Sequence, residues 1–257
     1  MFDKPSLKAR LKAGETCFGI MYCEMFTPGA CRIAKKAGYD FVIIDTEHNM
    51  AGVETVAWMC RAGRDIDLPI VVRAPAFEGQ WLTRYLDLGA AGVLIPRVET
   101  ADETRAIVRS IKYPPEGVRG LAGSGGHTDY ASPGASELVR WANQNILLAV
   151  QIETRVGLEN RHEILAVDGV DALFIGPNDL SLSLGRPGEL DHPDVVAAMD
   201  AIFEAAKEHG VAPGMHVFDV PGARNWLAKG ARFLAYSTEL ALIERASREA
   251  LAQLRGA

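Results

Sequence analysis

The sequence has no long hydrophobic run and no excess of basic charge. No window reaches the roughly 18 uncharged apolar residues that a membrane-spanning helix needs, and the amino-terminal segment MFDKPSLKARLKAGE is too charged for a signal peptide. Lys and Arg number 27 against 33 Asp and Glu, a formal net charge of −6 with no long run of one sign. We therefore expect neither a membrane nor a nucleic-acid partner, and small soluble partners are favoured.

Cysteine is also scarce, and its spacing indicates neither a disulfide framework nor a zinc site. Cys17, Cys23, Cys31 and Cys60 form no CxxC pair and have no histidine at zinc-finger spacing, so we predict free thiols in a reducing cytoplasm. No lysine closes a predicted strand, which disfavours a Schiff-base mechanism. No GxGxxG segment follows a strand, so the turn that binds dinucleotides is missing.

The sequence does contain a regular alternation of short apolar segments and longer segments with helical periodicity. We predict eight parallel strands, at 17–22, 41–45, 70–73, 92–96, 147–153, 172–176, 213–217 and 232–237. Helices are predicted between them, among others at 53–66, 80–90, 102–112 and 193–210. Glycines in segments such as AKKAGYD and LDLGAAG end these helices just before the next strand. The pattern predicts an α/β fold, one (β/α)8 TIM barrel spanning residues 1–257.

Two segments depart from this regular pattern. Residues 112–146 hold the run KYPPEGVRGLAGSGGHTDYASPGASE, which is too long and too rich in Gly, Pro and Ser for an ordinary connection, and we predict an active-site loop there. The terminal segment ELALIERASREALAQL, residues 239–254, carries an apolar stripe. This helix either closes its own barrel or packs on another chain.

Polar residues collect where the predicted strands end. In a (β/α)8 barrel the reacting groups come from the carboxyl ends of the strands. The polar residues at these ends are Asp45, Glu47, His48, Arg73, Glu153, Asp179, His216 and Ser237. Because charged groups are costly to bury unless they are paired or bind a metal, their concentration at one rim predicts a functional site there.

Glu153 and Asp179 are the candidate metal ligands. They follow consecutive strands, which in a parallel barrel lie about 4.8 Å apart, so both carboxylates can reach one point above the rim. Oxygen ligands without Cys or His suit Mg²⁺ or Mn²⁺, with Co²⁺ as a further candidate. The alternative is structural: Glu153 would pair with Arg155, and Asp179 would cap the helix LSLSLG.

Arg73 and His48 are the candidate catalytic residues. Arg73 closes the strand IVVR, where its fixed charge could stabilise a developing oxyanion. His48 can transfer a proton near neutral pH, and either Asp45 or Asp87 could hold its ring. The alternative is that His48 is an ordinary hydrogen-bonded histidine and that Arg73 pairs with a rim carboxylate.

Several of these stretches resemble one known family. FVIIDTEH, PIVVRAP, YLDLGAAGVLIPRVETADE, YPPEGVRG, VQIETRVGLEN and GVDALFIGPNDLS are similar in order and spacing to the HpcH/HpaI aldolase family, the metal-dependent class II pyruvate aldolases of the 4-hydroxy-2-oxoheptanedioate aldolase type. The resemblance covers roughly residues 15–240. It implies a barrel whose terminal helix is exchanged between subunits and a homohexamer built from dimers.

The resemblance also implies roles for individual residues. Glu153 and Asp179 would be the metal ligands, with Gln151 lining the same pocket. Arg73 would steady the pyruvate enolate, and His48, held by Asp87, would handle protons through a water molecule. Backbone amides of Gly176, Pro177 and Asn178 would cradle the pyruvate carboxylate.

The implied activity is the cleavage or formation of 4-hydroxy-2-oxo acids, from pyruvate or a related 2-oxo acid plus an aldehyde, through an enolate held on the metal. The segment GLAGSGGHTDYA, residues 120–131 with His127, departs from the family's more aliphatic and basic stretch, which leaves the acceptor aldehyde open. Two alternatives remain: a CoA-ester lyase of the same superfamily, and a non-catalytic barrel that binds oxo acids.

Overall fold

Eight parallel strands pair in chain order, and the eighth pairs again with the first, so the sheet closes into a barrel. The computed structural model describes residues 5–75, 77 and 79–256. The strands are β1 Cys17–Tyr22, β2 Phe41–Asp45, β3 Ile70–Arg73, β4 Gly92–Ile95, β5 Leu147–Ile152, β6 Ala172–Ile175, β7 Gly214–Val217 and β8 Phe233–Thr238. The predicted (β/α)8 TIM barrel is therefore confirmed, and each strand begins and ends within one residue of its predicted bounds.

Helices connect the strands around the outside of the barrel. They are α1 Leu7–Lys12, α2 Pro28–Ala37, α3 Val53–Arg64, α4 Gly79–Asp87, α5 Ala101–Ile111, α6 Ala135–Asn145, α7 Arg155–Glu159, α8 Arg161–Leu165, α9 Pro177–Ser183, α10 Pro193–Glu208, α11 Val220–Ala228 and α12 Glu239–Arg255. Thr100 and Glu103 form a capping box that fixes the start of α5. In the described part of the chain, no helix combines the length and the apolarity that crossing a bilayer requires.

Successive residues of each strand face opposite sides of the barrel wall. On β2, Phe41 and Ile43 belong to the cluster inside the barrel, whereas Val42 and Ile44 pack under the helices. Phe41 stacks on Phe233 with 4.6 Å between ring centroids, and Phe174 meets Phe233 edge-on at 5.8 Å. This aromatic packing fills the interior below the carboxyl ends of the strands, so inward polar residues can collect only above it.

The segment 112–146, predicted as an active-site loop, does not lie at the carboxyl-end rim of its own barrel. It contains a short 3₁₀ turn at Gly126–Thr128 and the helix α6. The His127 ring lies 3.1 Å from the carbonyl oxygen of Asp87, and Asp129 pairs with Arg61 at 3.6 Å. These partners lie near the ends of α4 and α3, which run from the rim to the amino-terminal end of the barrel. Within one chain the segment therefore contacts the end opposite the rim.

The terminal helix α12 leaves its apolar stripe uncovered. Leu240, Ile243, Leu251 and Leu254 are all exposed, Leu254 to 82%. Only the first residue, Glu239, is buried, and its carboxylate accepts hydrogen bonds from the backbone amides of residues 23–25 at 2.7–3.0 Å. The helix is thus fastened at its start, and most of its apolar side chains face away from its own barrel.

Candidate active site

Inward-facing polar residues collect at the carboxyl end of the barrel. On β2, β3, β5 and β6 the residue two positions earlier belongs to the apolar interior cluster, and before β7 Ala212, four positions earlier, does, so the alternation of side chains points these residues toward the axis. They are Asp45, Arg73, Gln151 and His216, and Gly176 takes the inward position at the end of β6. The rim predicted from the sequence is therefore a layer inside the barrel, immediately above the aromatic packing.

Asp45 and Arg73 form a buried two-point ion pair. Arg73 Nε lies 2.8 Å from Asp45 Oδ1, and Nη2 lies 2.7 Å from Oδ2. Only 1% of Asp45 and 8% of Arg73 are exposed. Burial opposes the charge on Asp45, but the hydrogen bonds and charge of Arg73 outweigh it and hold the pKa of Asp45 below its usual value. Asp45 therefore orients Arg73, and no hydrogen bond joins it to His48 in the described structure.

Glu47 extends this pair toward the metal candidates, a role that the sequence reasoning did not assign to it. Its Oε2 lies 3.2 Å from Arg73 Nη1 and 3.6 Å from His48 Nε2. Burial raises the pKa of Glu47, and the negative charges of Asp45 and Asp179 add to that effect. The signal was available in the segment DTEH, because Glu47 lies two residues after an inward aspartate.

Glu153 is buried at the end of β5 and is held from two sides. Its Oε1 accepts a hydrogen bond from the Arg97 amide at 3.0 Å, and its Oε2 accepts one from the Gln151 side chain at 2.5 Å. The alternative pairing with Arg155 is not found, because the guanidinium of Arg155 instead donates to the carbonyl of Leu184. Burial and the negative charge of Asp179 raise the pKa of Glu153 to about 7.

Asp179 lies in the first turn of α9, at the start of the connection after β6. The helix begins after Gly176, which makes no side-chain cap, so Asp179 is not the capping residue that the alternative required. Its negative charge acts on both Glu153 and Glu47. The carboxylates of Glu153 and Asp179 thus repel one another, and the positive charge of Arg73 offsets this effect on Glu153 only in part.

Gly176 makes room for this arrangement. A Cβ atom at this position would lie 2.1 Å from Glu153 Oε2 and 2.6 Å from Gln151 Nε2. Pro177 has no N–H, so of the three residues predicted to cradle a carboxylate, Pro177 cannot donate. In the first turn of α9, the amides of Asn178 and Asp179 have no partner within the helix and are the available donors.

The donor chemistry fits a hard divalent cation. Gln151 Oε1 is an enclosed oxygen without a hydrogen-bond partner, and the enclosed Glu47 Oε2 has only its ion pairs with Arg73 and His48. Both oxygens lie beside the two repelling carboxylates. Among the described residues, no group of three or more His, Cys, Asp and Glu side chains is placed to hold a metal. A site here would use the two carboxylates of Glu153 and Asp179 and leave other positions to water and substrate, as Mg²⁺ sites commonly do.

His48 lies at the rim, but Asp87 does not hold it within one chain. The His48 side chain is 61% exposed and lies nearest to Glu47. Asp87 is the last residue of α4, and its carboxylate pairs with Arg119 at 2.6 Å at the opposite end of the barrel. The predicted His48–Asp87 contact is therefore absent from the single chain, because α4 carries Asp87 away from the rim.

The chain is a parallel (β/α)8 barrel with buried carboxylates and a paired arginine at its carboxyl end, which is where TIM-barrel enzymes carry their active sites. Residues 19–246 match the family model described as HpcH/HpaI aldolase/citrate lyase. The chain belongs to the HpcH/HpaI aldolase/citrate lyase family.

Individual relatives agree with this assignment. Over 260 residues the chain is 38% identical to a hydroxypyruvate/pyruvate aldolase of Paraburkholderia phytofirmans, covering 99% of this chain and 98% of the relative. It is 37% identical to a pyruvate aldolase of Rhizobium etli, covering 95% of each chain. The crystal structure of an HpcH/HpaI aldolase from Desulfitobacterium hafniense shares 32% identity at a TM-score of 0.93, over 98% of this chain and 97% of that one. The chain is a carbon–carbon lyase, an aldolase.

Proposed function

We propose that the protein is a divalent-metal-dependent class II aldolase that cleaves or forms 4-hydroxy-2-oxo acids, with pyruvate or a related 2-oxo acid as donor and an aldehyde as acceptor. The observation that supports this proposal is the pair of mutually repelling carboxylates, Glu153 and Asp179, beside the oriented Arg73. Relatives named pyruvate aldolase and hydroxypyruvate/pyruvate aldolase support the choice of donor.

Glu153 and Asp179 would hold Mg²⁺ or Mn²⁺, with Co²⁺ as a further candidate. A bound cation would supply Lewis-acid polarisation of the donor's ketone, worth several kcal/mol. Gln151 keeps Glu153 in place through its hydrogen bond and presents its free Oε1 to the same space. The first-turn amides of α9 would bind the carboxylate of the oxo acid.

Arg73 would stabilise the negative oxygen that develops as the carbon–carbon bond breaks. Its two contacts with Asp45 fix the guanidinium plane before the substrate arrives, so little reorganisation is needed during the reaction. The Nη1 atom of Arg73 makes no contact with Asp45. It contacts Glu47 and is the part of the guanidinium that would face the substrate. Lysine in its place would lack this forked geometry.

His48 would move the proton between the substrate hydroxyl and solvent through water, because its ring is exposed at the rim beside Glu47. Asp87 does not reach His48 within one chain, so it would hold the His48 ring only as a residue of a neighbouring subunit. Asp87 lines a surface groove together with Thr83 and Arg84. The apolar side chains of Val118 and Leu121 are exposed. The exposed stripe of α12 supports the same view, that the working enzyme is a homo-oligomer such as the expected hexamer.

Exchange of the methyl protons of pyruvate in D₂O, followed by proton NMR, tests the proposal without an aldehyde. We expect rapid exchange with Mg²⁺ or Mn²⁺, loss of exchange in EDTA, and recovery when the metal is restored. In a Glu153→Gln variant the exchange rate should fall at least about a hundredfold, which is the effect of removing one electrostatic group from an active site. Glu159→Gln, on the surface of the same connection, is the matched control. An undiminished exchange rate after exhaustive chelation would overturn the metal role. Cleavage of malyl-CoA without cleavage of 4-hydroxy-2-oxo acids would favour the CoA-ester lyase.

A further inference from the structure

Glu239 is a buried carboxylate that the proposed mechanism does not use. It follows β8 as the first residue of α12, and only 5% of it is exposed. The backbone amides of Cys23, Glu24 and Met25 donate to its Oε1 at 2.9, 2.7 and 2.9 Å. The Cys23 amide also lies 3.0 Å from its Oε2. Successive amides that converge on one point form an anion-binding nest, so Glu239 fixes the segment that follows β1.

Strand register places the fixed segment beside the paired arginine of the site. Tyr22 pairs with Ile44, and Asp45 pairs with Arg73. Cys23 follows Tyr22, so it lies next to Asp45 across the pair of strands β1 and β2. Its side chain packs against the interior cluster and therefore takes the inward position at the end of β1. The segment that the nest holds thus borders the reacting groups.

Asn49 joins this segment to the ion pair. Its side-chain amide donates a hydrogen bond of 2.5 Å to Asp45 Oδ2, the oxygen that also contacts Arg73 Nη2. Burial raises the pKa of the Cys23 thiol to about 12, and the negative charge of Glu239 adds to this effect. The charge of Arg73 and a hydrogen bond from the Asn49 side chain act in the opposite direction. The neutral thiol therefore lies against Asn49, which in turn holds Asp45.

We propose that Glu239 is a positioning residue of the aldolase reaction. By holding the segment after β1 against Asn49, it keeps the Asp45–Arg73 pair in its productive orientation. Asp45 fixes the guanidinium through both of its oxygens, and the Asn49 contact on Oδ2 limits the rotation of that carboxylate. Glu239 acts through these side chains and does not itself contact the substrate. The inference rests on the role proposed for Arg73.

Glu239→Gln keeps the length of the side chain but replaces one acceptor oxygen by an NH2 group, which cannot accept from the amides. We expect the segment after β1 to shift and kcat for retro-aldol cleavage to fall about tenfold, less than the roughly hundredfold effect of a directly misplaced group. The KM for the oxo acid should change less than about twofold, because Arg73 would act on charge that develops only in the transition state. An unchanged kcat would overturn the inference.

A double-mutant cycle with Asn49→Ala separates positioning from a purely structural role. If Glu239 acts through Asn49, Asn49→Ala lowers kcat by a similar factor, and adding Glu239→Gln lowers it less than about twofold further. Two effects that multiply would overturn the inference, because independent sites behave in that way. All variants are assayed as metal-loaded full chains below their unfolding midpoints. Glu249→Gln, exposed on the same helix, is the matched control. Glu239→Asp replaces Glu239→Gln in the cycle if the glutamine variant does not fold.

Labelling of the Cys23 thiol reports on the fixed segment without any activity. Cys23 is half-buried, whereas Cys17, Cys31 and Cys60 are buried. Glu239→Asp keeps the charge beside the thiol on a side chain one methylene shorter. We expect Cys23 in this variant to react with a disulfide reagent at least about tenfold faster than in the wild type, as measured by mass spectrometry. An unchanged labelling rate would overturn the inference.

Arg73→Lys distinguishes failure of the proposed function. Full kcat in Arg73→Lys would show that the role proposed for Arg73 is wrong, and the labelling rate would then decide whether Glu239 holds the segment. A loss of kcat in Arg73→Lys together with full kcat in Glu239→Gln would overturn the role of Glu239 alone.

Discussion

Replacing Gly176 by alanine should damage the site without disturbing the backbone. The φ and ψ angles of Gly176, −93° and 91°, lie in the extended region that alanine adopts freely. The new Cβ would lie 2.1 Å from Glu153 Oε2, whereas such contacts essentially never fall below 3.0 Å. The carboxylate must therefore move by at least about 0.9 Å, and Gln151 must move with it because the two are hydrogen-bonded.

The cost of that displacement can be estimated. A misplacement of about 1 Å in a catalytic site lowers the rate about a hundredfold, so we expect kcat/KM for retro-aldol cleavage to fall by about that factor. The apparent affinity for Mn²⁺ should fall as well, since one of its two proposed ligands has moved. Coupled detection of released pyruvate measures the first quantity, and calorimetric titration measures the second.

Gly29→Ala is the matched control for this variant. Gly29 lies in the first turn of α2, where an added Cβ would find only Thr27 Oγ1, at 3.8 Å. Alanine is the better helix former, so this variant should keep full activity and be slightly more stable. Wild-type kcat/KM and Mn²⁺ affinity in Gly176→Ala would refute the argument that the missing side chain positions Glu153.

Two further predictions concern stability. Asp45→Asn leaves the Arg73 guanidinium buried with Glu47 as its remaining ion-pair partner, and we expect the free energy of urea unfolding at pH 7 to fall by about 3 kcal/mol. Because the pKa of Asp45 is lowered by folding, its contribution is complete above the unfolded pKa and is lost as the pH falls through the folded value. The difference between wild type and variant should therefore shrink below about pH 4, and a constant difference down to pH 2 would contradict the assignment. Asp87→Ala removes the partner of Arg119, whose side chain is only 1% exposed, and should cost about 3 kcal/mol; an unchanged unfolding midpoint would show that the pair contributes nothing.

The strands were predictable because the relevant interactions are local. A buried strand needs a short apolar run, and a helix that returns to the sheet ends at a glycine such as Gly38, which has φ near +97°. The two candidate ligands were predictable for a related reason. Parallel strands place their ends at one rim, so Glu153 and Asp179 had to lie near each other whatever the packing between them.

Asp87 and the long connection were harder to place. The irregular residues after Lys112 follow α5, and α5 has already returned to the amino-terminal end of the barrel, so the order of elements places them there rather than at the rim. Length and composition showed only that the connection is unusual. Glu47 was missed as a working residue because its importance depends on a neighbour from another strand, Arg73.

The central claim is that Glu153 and Asp179 together bind one divalent cation. Titration of the protein with Mn²⁺, followed by electron paramagnetic resonance of the free ion, tests it most directly, in the wild type and in Glu153→Gln and Asp179→Asn. We predict one site per chain in the wild type and loss of that site in each variant, with the Glu159→Gln control unchanged. An undiminished site in either variant would contradict the claim.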